Sequence, residues 1–152
     1  MIFTIEHVAR SLAEHLAPVL PGTAFYEGPN QQGTERPCAF LQQRYGRTKK
    51  RQAGRWLRTV GLDLTYLVDY NLPNIQQIYE AAAETMDQVL ETFPYSDDFE
   101  NGRSALLRTY DREWKADRDG LHYKFELRVW VELPEEGVLM RTLILNQEVV
   151  NE

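Results

Sequence analysis

Cysteine is nearly absent from this 152-residue sequence, which carries Cys38 alone. No internal disulfide can form, which points to a reducing, cytoplasmic setting. A zinc centre needs several Cys or His at close spacing, and none is present. Histidine is also scarce: His7, His15 and His122 are scattered, and each reads as a surface or satisfied histidine. Apolar runs fall far short of the ~20 residues that span a bilayer. The start, MIFTIEHVAR, lacks the basic region, apolar stretch and cleavage site of a secretory signal. The glycines form neither a G-x-G-x-x-G nor a phosphate-loop pattern, and Ser11, Ser96 and Ser104 lack a nucleophile-elbow context. These absences predict no catalytic, cofactor-binding or metal site. With 43% hydrophobic and 26% charged residues, the chain reads as one soluble domain over residues 1–152.

What is abundant is charge, unevenly placed. The formal net charge is -6, from 17 basic and 23 acidic residues. Yet no acidic residue lies between Glu35 and Asp63, a stretch that holds Arg36, Arg44, Arg47, Lys49, Lys50, Arg51, Arg55 and Arg58. The field of the molecule must be strongly polarised.

Periodicity orders the chain as helix, strands, helix, strands. Ile5, Val8, Leu12 and Leu16 recur at helical spacing behind a suitable N-cap, Thr4, and Pro18, Pro21 and Gly22 end the pattern. Ala24 to Glu27 reads as a short strand before the loop GPNQQGTERP. From Cys38 the period is two, and Val60, Leu62, Leu64, Tyr66 and Val68 mark one face of a longer strand. The basic segment RYGRTKKRQAGRWLR, residues 44–58, then falls at the distal end of a long hairpin.

Ile75, Ile78, Tyr79, Ala82, Met86, Val89, Leu90 and Phe93 predict a second helix, ended by Pro94 and followed by the loop YSDDFENG. SDDFENG lacks the bidentate Glu of a calcium loop and reads as solvated. A further hairpin covers about Ala105 to Leu133, turning at Asp119-Gly120. On its second strand Leu121, Tyr123, Phe125, Leu127, Val129, Val131 and Leu133 face a core, with His122, Lys124, Glu126, Arg128 and Glu132 outward. After a turn at PEEG, MRTLILNQEVV adds a strand or extends to a neighbour. The pattern predicts an α+β fold: a mostly antiparallel sheet with two main helices packed on one face.

Cys38 opens a strand and reads as a small buried hydrophobe. Asp111 and Glu113 alternate with Arg108 and Arg112, which suits an exposed sheet face or an ionic contact. Trp56, Trp114 and Trp130 each count out of phase with the most apolar face of their strand. They are either anchors in a protein contact or covered within the fold, and both readings stand.

The basic hairpin allows three readings. Lys and Arg beside Tyr45 and Trp56 could hold phosphates and stack bases, giving a nucleic-acid-binding module on 44–58. An acidic protein with a sequence pI near 5.1 argues against a dedicated nucleic-acid domain. A solvated hairpin whose charges discourage edge pairing is the bland reading. Contact with the acidic surface of an identical neighbour is the third, since charge polarity favours head-to-tail assembly. We expect a protein contact at Arg44, Arg47, Lys49, Lys50, Arg51, Arg55, Trp56 and Arg58.

Four stretches, taken in order, resemble one family. YEGPNQQGTERPCAFLQ (26–42) is similar to its glutamate, QG and R-P-C-x-F strand entry. RWLRTVGLDLTYLVD (55–69) resembles its Arg-rich strand, through Arg58, Thr59, Asp63 and Tyr66. YKFELRVWV (123–131) and MRTLILNQEV (140–149) resemble its late alternating strand and its short tail. The family is that of tail terminator, or tail completion, proteins of tailed phages, prophages and phage-tail-like particles. The resemblance implies a non-enzymatic α+β subunit that forms a ring, often a hexamer, on the head-proximal end of a tail tube. It implies as partners further copies of the chain, the tail tube protein, the head connector or head-completion protein and, on a contractile tail, the sheath terminator. DNA would meet it only in passing, and a membrane not at all. Assembly in the host bacterial cytoplasm and residence in the virion or tail-like particle follow from the same resemblance.

Overall fold

The computed structural model describes residues 3–26, 35–98 and 103–132. Residues 28–34 of the expected loop GPNQQGTERP, the end of SDDFENG, the PEEG turn and the strand in MRTLILNQEVV lie outside those residues. Two helices, α1 (Ile5–Leu16) and α2 (Ile75–Val89), accompany six strands: β1 (Ala24–Tyr26), β2 (Cys38–Lys50), β3 (Arg55–Leu67), β4 (Thr92–Asp98), β5 (Arg103–Asp117) and β6 (Gly120–Glu132). The strands form one sheet in the order β1-β2-β3-β6-β5-β4, in which only the β1–β2 pairing is parallel. The fold is α+β, as expected.

Helix α1 begins where Thr4 adopts extended backbone and its hydroxyl accepts the His7 N–H at 3.2 Å, satisfying an end group of the helix. It buries Val8, Ser11, Leu12 and Leu16 against β4 and β2. Helix α2 buries Ile75, Tyr79, Ala82, Ala83 and Met86 against β5 and β6. The sheet answers with Val60, Leu62, Leu64, Leu121, Tyr123, Phe125 and Leu127, all 2% exposed or less. Both helices therefore cover the same face, and no helix among the described residues covers the opposite face of the sheet.

Three expectations are corrected. Helix α2 stops at Val89, four residues before Phe93, and Thr92–Asp98 is the edge strand β4. Leu90 and Phe93 are still fully buried, so apolar spacing alone could not separate a continuing helix from a helix end followed by a strand. Phe93 and Tyr95 alternate into the core, and Pro94 is tolerated because β4 lies at the sheet edge.

Trp56 has the parity of Val60 and stands on the helix-side face of β3, half-buried beyond the helices. Trp114 also reaches the helix side. A bulge between Tyr110 and Glu113, with Asp111 at φ 51, shifts the phase of β5. Leu107 and Thr109 face the core before the bulge, and Trp114 and Ala116 take that side after it, opposite Tyr123 and Leu121. The Trp114 indole N–H donates to Asp87 Oδ2 of α2 at 3.2 Å. Trp130, 49% exposed, alone of the three lies on the helix-free face.

Candidate interaction surface

The β2–β3 hairpin outruns the helices that cover its base. Each strand has 13 residues, an extended length of about 40 Å. From Gln42 to Lys50 every residue of β2 is exposed except the half-buried Tyr45. The strands are joined through a single turn of 3-10 helix, Gln52–Gly54, with Ala53 and Gly54 at φ 60 and 71. The basic residues thus line strands as well as the turn.

Register divides them between the two faces. Tyr45, Arg47 and Lys49 lie opposite Gly61, Thr59 and Leu57, and the next strand adds Glu126, Arg128 and Trp130 in the same rows. Arg55 belongs to this helix-free face as well, packed over the Trp130 ring at 4.2 Å. Lys50 and Arg58 take the other face, near Trp56 (5.8 Å) and Phe3 (5.6 Å) respectively. Arg44 is the extra residue in a bulge between Gln43 and Tyr45, and its guanidinium lies 5.5 Å from the Tyr45 ring centre. Arg51 occupies the turn. The eight predicted residues are therefore close in space, yet form two cationic faces and a cationic tip.

One carboxylate organises the helix-free face. Glu126 is 8% exposed, its Oε1 accepting from the Tyr45 hydroxyl and from Arg47 Nη2 at 3.4 Å, and its Oε2 from Arg128 Nη2 at 3.2 Å. Arg128 also reaches Asp111 Oδ2 at 3.1 Å and covers the Tyr110 ring at 4.2 Å. The Tyr45 hydrogen bond holds the Glu126 carboxyl below its usual range; burial opposes this, and Arg128 and Arg47 reinforce it. The same hydrogen bond, helped by burial and by the Glu126 charge, pushes the Tyr45 phenol up, against the pull of Arg47. A depression of about 240 Å³ lies beside this network, lined by Arg47, Lys49, Arg51, Leu57 and Thr59 with Glu126 and Arg128. Its floor is polar and its rim cationic, which suits an acidic protein surface or an extended acidic segment.

Sequence reasoning missed Glu126, Arg128 and Gly61 as parts of this surface. Gly61 in the middle of a strong strand was the available signal, since such a glycine marks close approach by another group. A Cβ at that position would collide with the Tyr45 ring. Other ionic residues serve local structure. Arg108 pairs with Glu91 at 3.3 Å, Arg112 donates to the Asp87 carbonyl at 2.8 Å, and Glu113 faces Lys124 across the β5–β6 ladder.

The histidines are likewise local. His7 meets Thr4 Oγ1 at 2.9 Å, His15 the Val89 carbonyl at 2.6 Å, and His122 the Asp63 carboxylate at 3.1 Å. Burial pushes the Cys38 thiol up, with Arg36 opposing, which suits an inert core position. Among the described residues no group of three or more His, Cys, Asp and Glu could hold a metal ion. No described helix is long and apolar enough to cross a membrane.

A family model described as phage tail terminator protein matches residues 5–138. No curated protein matches the chain.

Proposed function

The chain belongs to the phage tail terminator family, and we propose that it caps the head-proximal end of a tail tube as a ring. A structural role in a phage tail is common to this family, and the virion or tail particle is where such a protein resides. The finer reading is mechanical. Residues 1–152 act as a single domain whose copies close head to tail, often as a hexamer in such rings. The ring occupies the contacts that the next tube layer would use, ends polymerisation, and offers its free side to the head connector or head-completion protein. On a contractile tail it would also meet the sheath terminator. Assembly takes place in the host cytoplasm, and DNA passes without being held.

The observation that carries this reading is the exposed cationic end of the β2–β3 hairpin in a chain of this family. Its cations point to two sides of a rigid ladder, so one hairpin can meet two neighbours at once. The subunit is acidic overall, with a net charge of -6, and supplies the opposite sign to a like neighbour. Nucleic-acid binding by the hairpin has less support: Arg55 covers the face of Trp130, and Glu126 places a carboxylate among the cations.

Tails assembled without this protein test the proposal. Negative-stain images should show overlong tubes, with normal length restored by the added chain. Normal lengths in its absence would refute the terminator role.

A further inference from the structure

Charge is sorted along the chain into two consecutive blocks. The basic block of residues 36–58, which holds no acid, is followed by an acidic one without Lys or Arg, residues 59–102. Its acids are Asp63, Asp69, Glu80, Glu84, Asp87, Glu91, Asp97, Asp98 and Glu100. The basic block supplies the exposed hairpin end, Lys49, Lys50 and Arg51; the acidic block contains the whole of α2.

On α2 the acids form a stripe. Glu80, Glu84 and Asp87 are exposed and span an arc of about 60° at helical spacing, opposite the buried Tyr79, Ala83 and Met86. Helix stability does not account for it. Like charges four residues apart weaken a helix, and an acid in the last turn opposes the helix dipole. Asp87 has a fixed place, accepting from the Tyr123 hydroxyl at 2.5 Å and the Trp114 indole at 3.2 Å.

The hairpin of the same subunit cannot neutralise this stripe. Lys49 stands level with Leu57 and Trp130, seven residues along β6 from Tyr123, where Asp87 is held. That separation is about 23 Å along the sheet. Glu80 and Glu84 lie farther away, towards Ala116, whose carbonyl accepts from Gln76 at 2.8 Å. Salt screens exposed charges over about 8 Å, so the two patches hardly sense each other within one subunit. They match between subunits. Arg51 continues the extended backbone of β2, so Lys49 and Arg51 repeat at about 6.6 Å. Glu80 and Glu84 repeat at about 6 Å along the helix.

We propose that the hairpin end Lys49–Arg51 of one copy docks on the outer face of α2 of the next, with Lys49 and Arg51 over Glu80 and Glu84. Complementary charge then fixes which surfaces meet and speeds their encounter. The contact rests on the ring-forming reading. It gives the ring its direction, because the two surfaces are different parts of one chain.

Two measurements on the full chain bound to tail tubes test it. Zero-length carbodiimide cross-linking is applied to a mixture of isotopically light and heavy chains. Mixed-isotope links from Lys49 or Lys50 to Glu80 or Glu84 are expected. Links within one isotope only, links to the tube protein alone, or none overturn the proposal. These links are read on native chains, so they hold whatever the stability of any variant. Charge reversal is the second measurement. Glu80→Lys with Glu84→Lys, and separately Lys49→Glu with Arg51→Glu, should each lower the fraction of ring-capped tubes about 10-fold. The quadruple variant should recover it, since unlike charges again meet at every contact; a folded quadruple variant that fails to cap overturns the proposal. Undiminished capping by the Glu80→Lys, Glu84→Lys chain would sink this inference and leave the ring reading standing. A native chain that forms no ring on tubes would sink the ring reading itself.

Discussion

The ring of Tyr45 lies across Gly61 and passes its hydroxyl hydrogen bond to Glu126, two strands away. Residues 45, 61 and 126 stand in one row of the sheet, so the aromatic ring fills the space a side chain on β3 would occupy. The glycine is a condition of the contact. Gly61→Val should displace Tyr45 and destabilise the protein by about 1–3 kcal/mol, as overpacking does. Tyr45→Phe, which keeps the ring, should cost about 1.5 kcal/mol for a hydrogen bond to a charged group. Denaturant unfolding measures both, and an unchanged midpoint in Gly61→Val would disprove the row.

Acid should weaken the same network. Glu126 has its folded-state pKa lowered from a starting value of 4.5, first by the Tyr45 hydrogen bond. A carboxyl lowered in this way contributes stability that is fully present above the unfolded pKa. That contribution is lost as pH falls through the folded pKa. The stability difference between the native protein and Glu126→Gln should therefore be constant from pH 6 to 7 and shrink below about pH 4.5. A difference that grows on acidification would contradict the assignment.

Tyr79 joins α2 to the end of β3. Its buried hydroxyl accepts the Val68 N–H at 2.9 Å, and burial pushes the phenol pKa up. Tyr79→Phe leaves that N–H without its partner in the core and should cost about 1–3 kcal/mol. Thermal unfolding of the variant checks this, with Tyr70→Phe, at an exposed site, as the control expected to change little.

Cys38 is fully buried with its thiol pushed up by burial. Its reaction with a thiol-specific reagent should follow global unfolding and be slowed at least 100-fold in the folded protein. Rapid labelling under native conditions would show that the β1–β2 end opens on its own.

Much of this fold is legible in the sequence because its signals are local. Thr4 and the Ile5–Leu16 stripe define α1, and alternation from Val60 to Tyr66 and from Leu121 to Val129 defines the two central strands. The errors have physical causes. Leu90 and Phe93 fit a helical stripe equally well when the chain breaks between them and resumes as a strand. Asp111 reverses the phase of β5, so counting from Leu107 gives the wrong side for Trp114. The cationic segment was visible as composition, and its place on a hairpin followed from flanking alternation. The Glu126 hub was not visible. A lone Glu on the outward side of β6 looks like any solvated carboxylate until β2 and β3 bring Tyr45 and Arg47 over it.

The central claim is that the exposed cationic end of the hairpin, Lys49–Arg51, serves assembly and adds little to folding. Lys49, Lys50 and Arg51 are exposed residues outside the Glu126 network, which makes them the cleanest place to reverse charge. The variant Lys49→Glu, Lys50→Glu, Arg51→Glu should unfold within about 0.5 kcal/mol per substitution of the native protein. The most direct measurement is the distribution of tail lengths by negative-stain microscopy when this variant replaces the native chain. Overlong tubes with a normally folded variant are the predicted result; tubes of normal length, capped and joined to heads, would contradict the account.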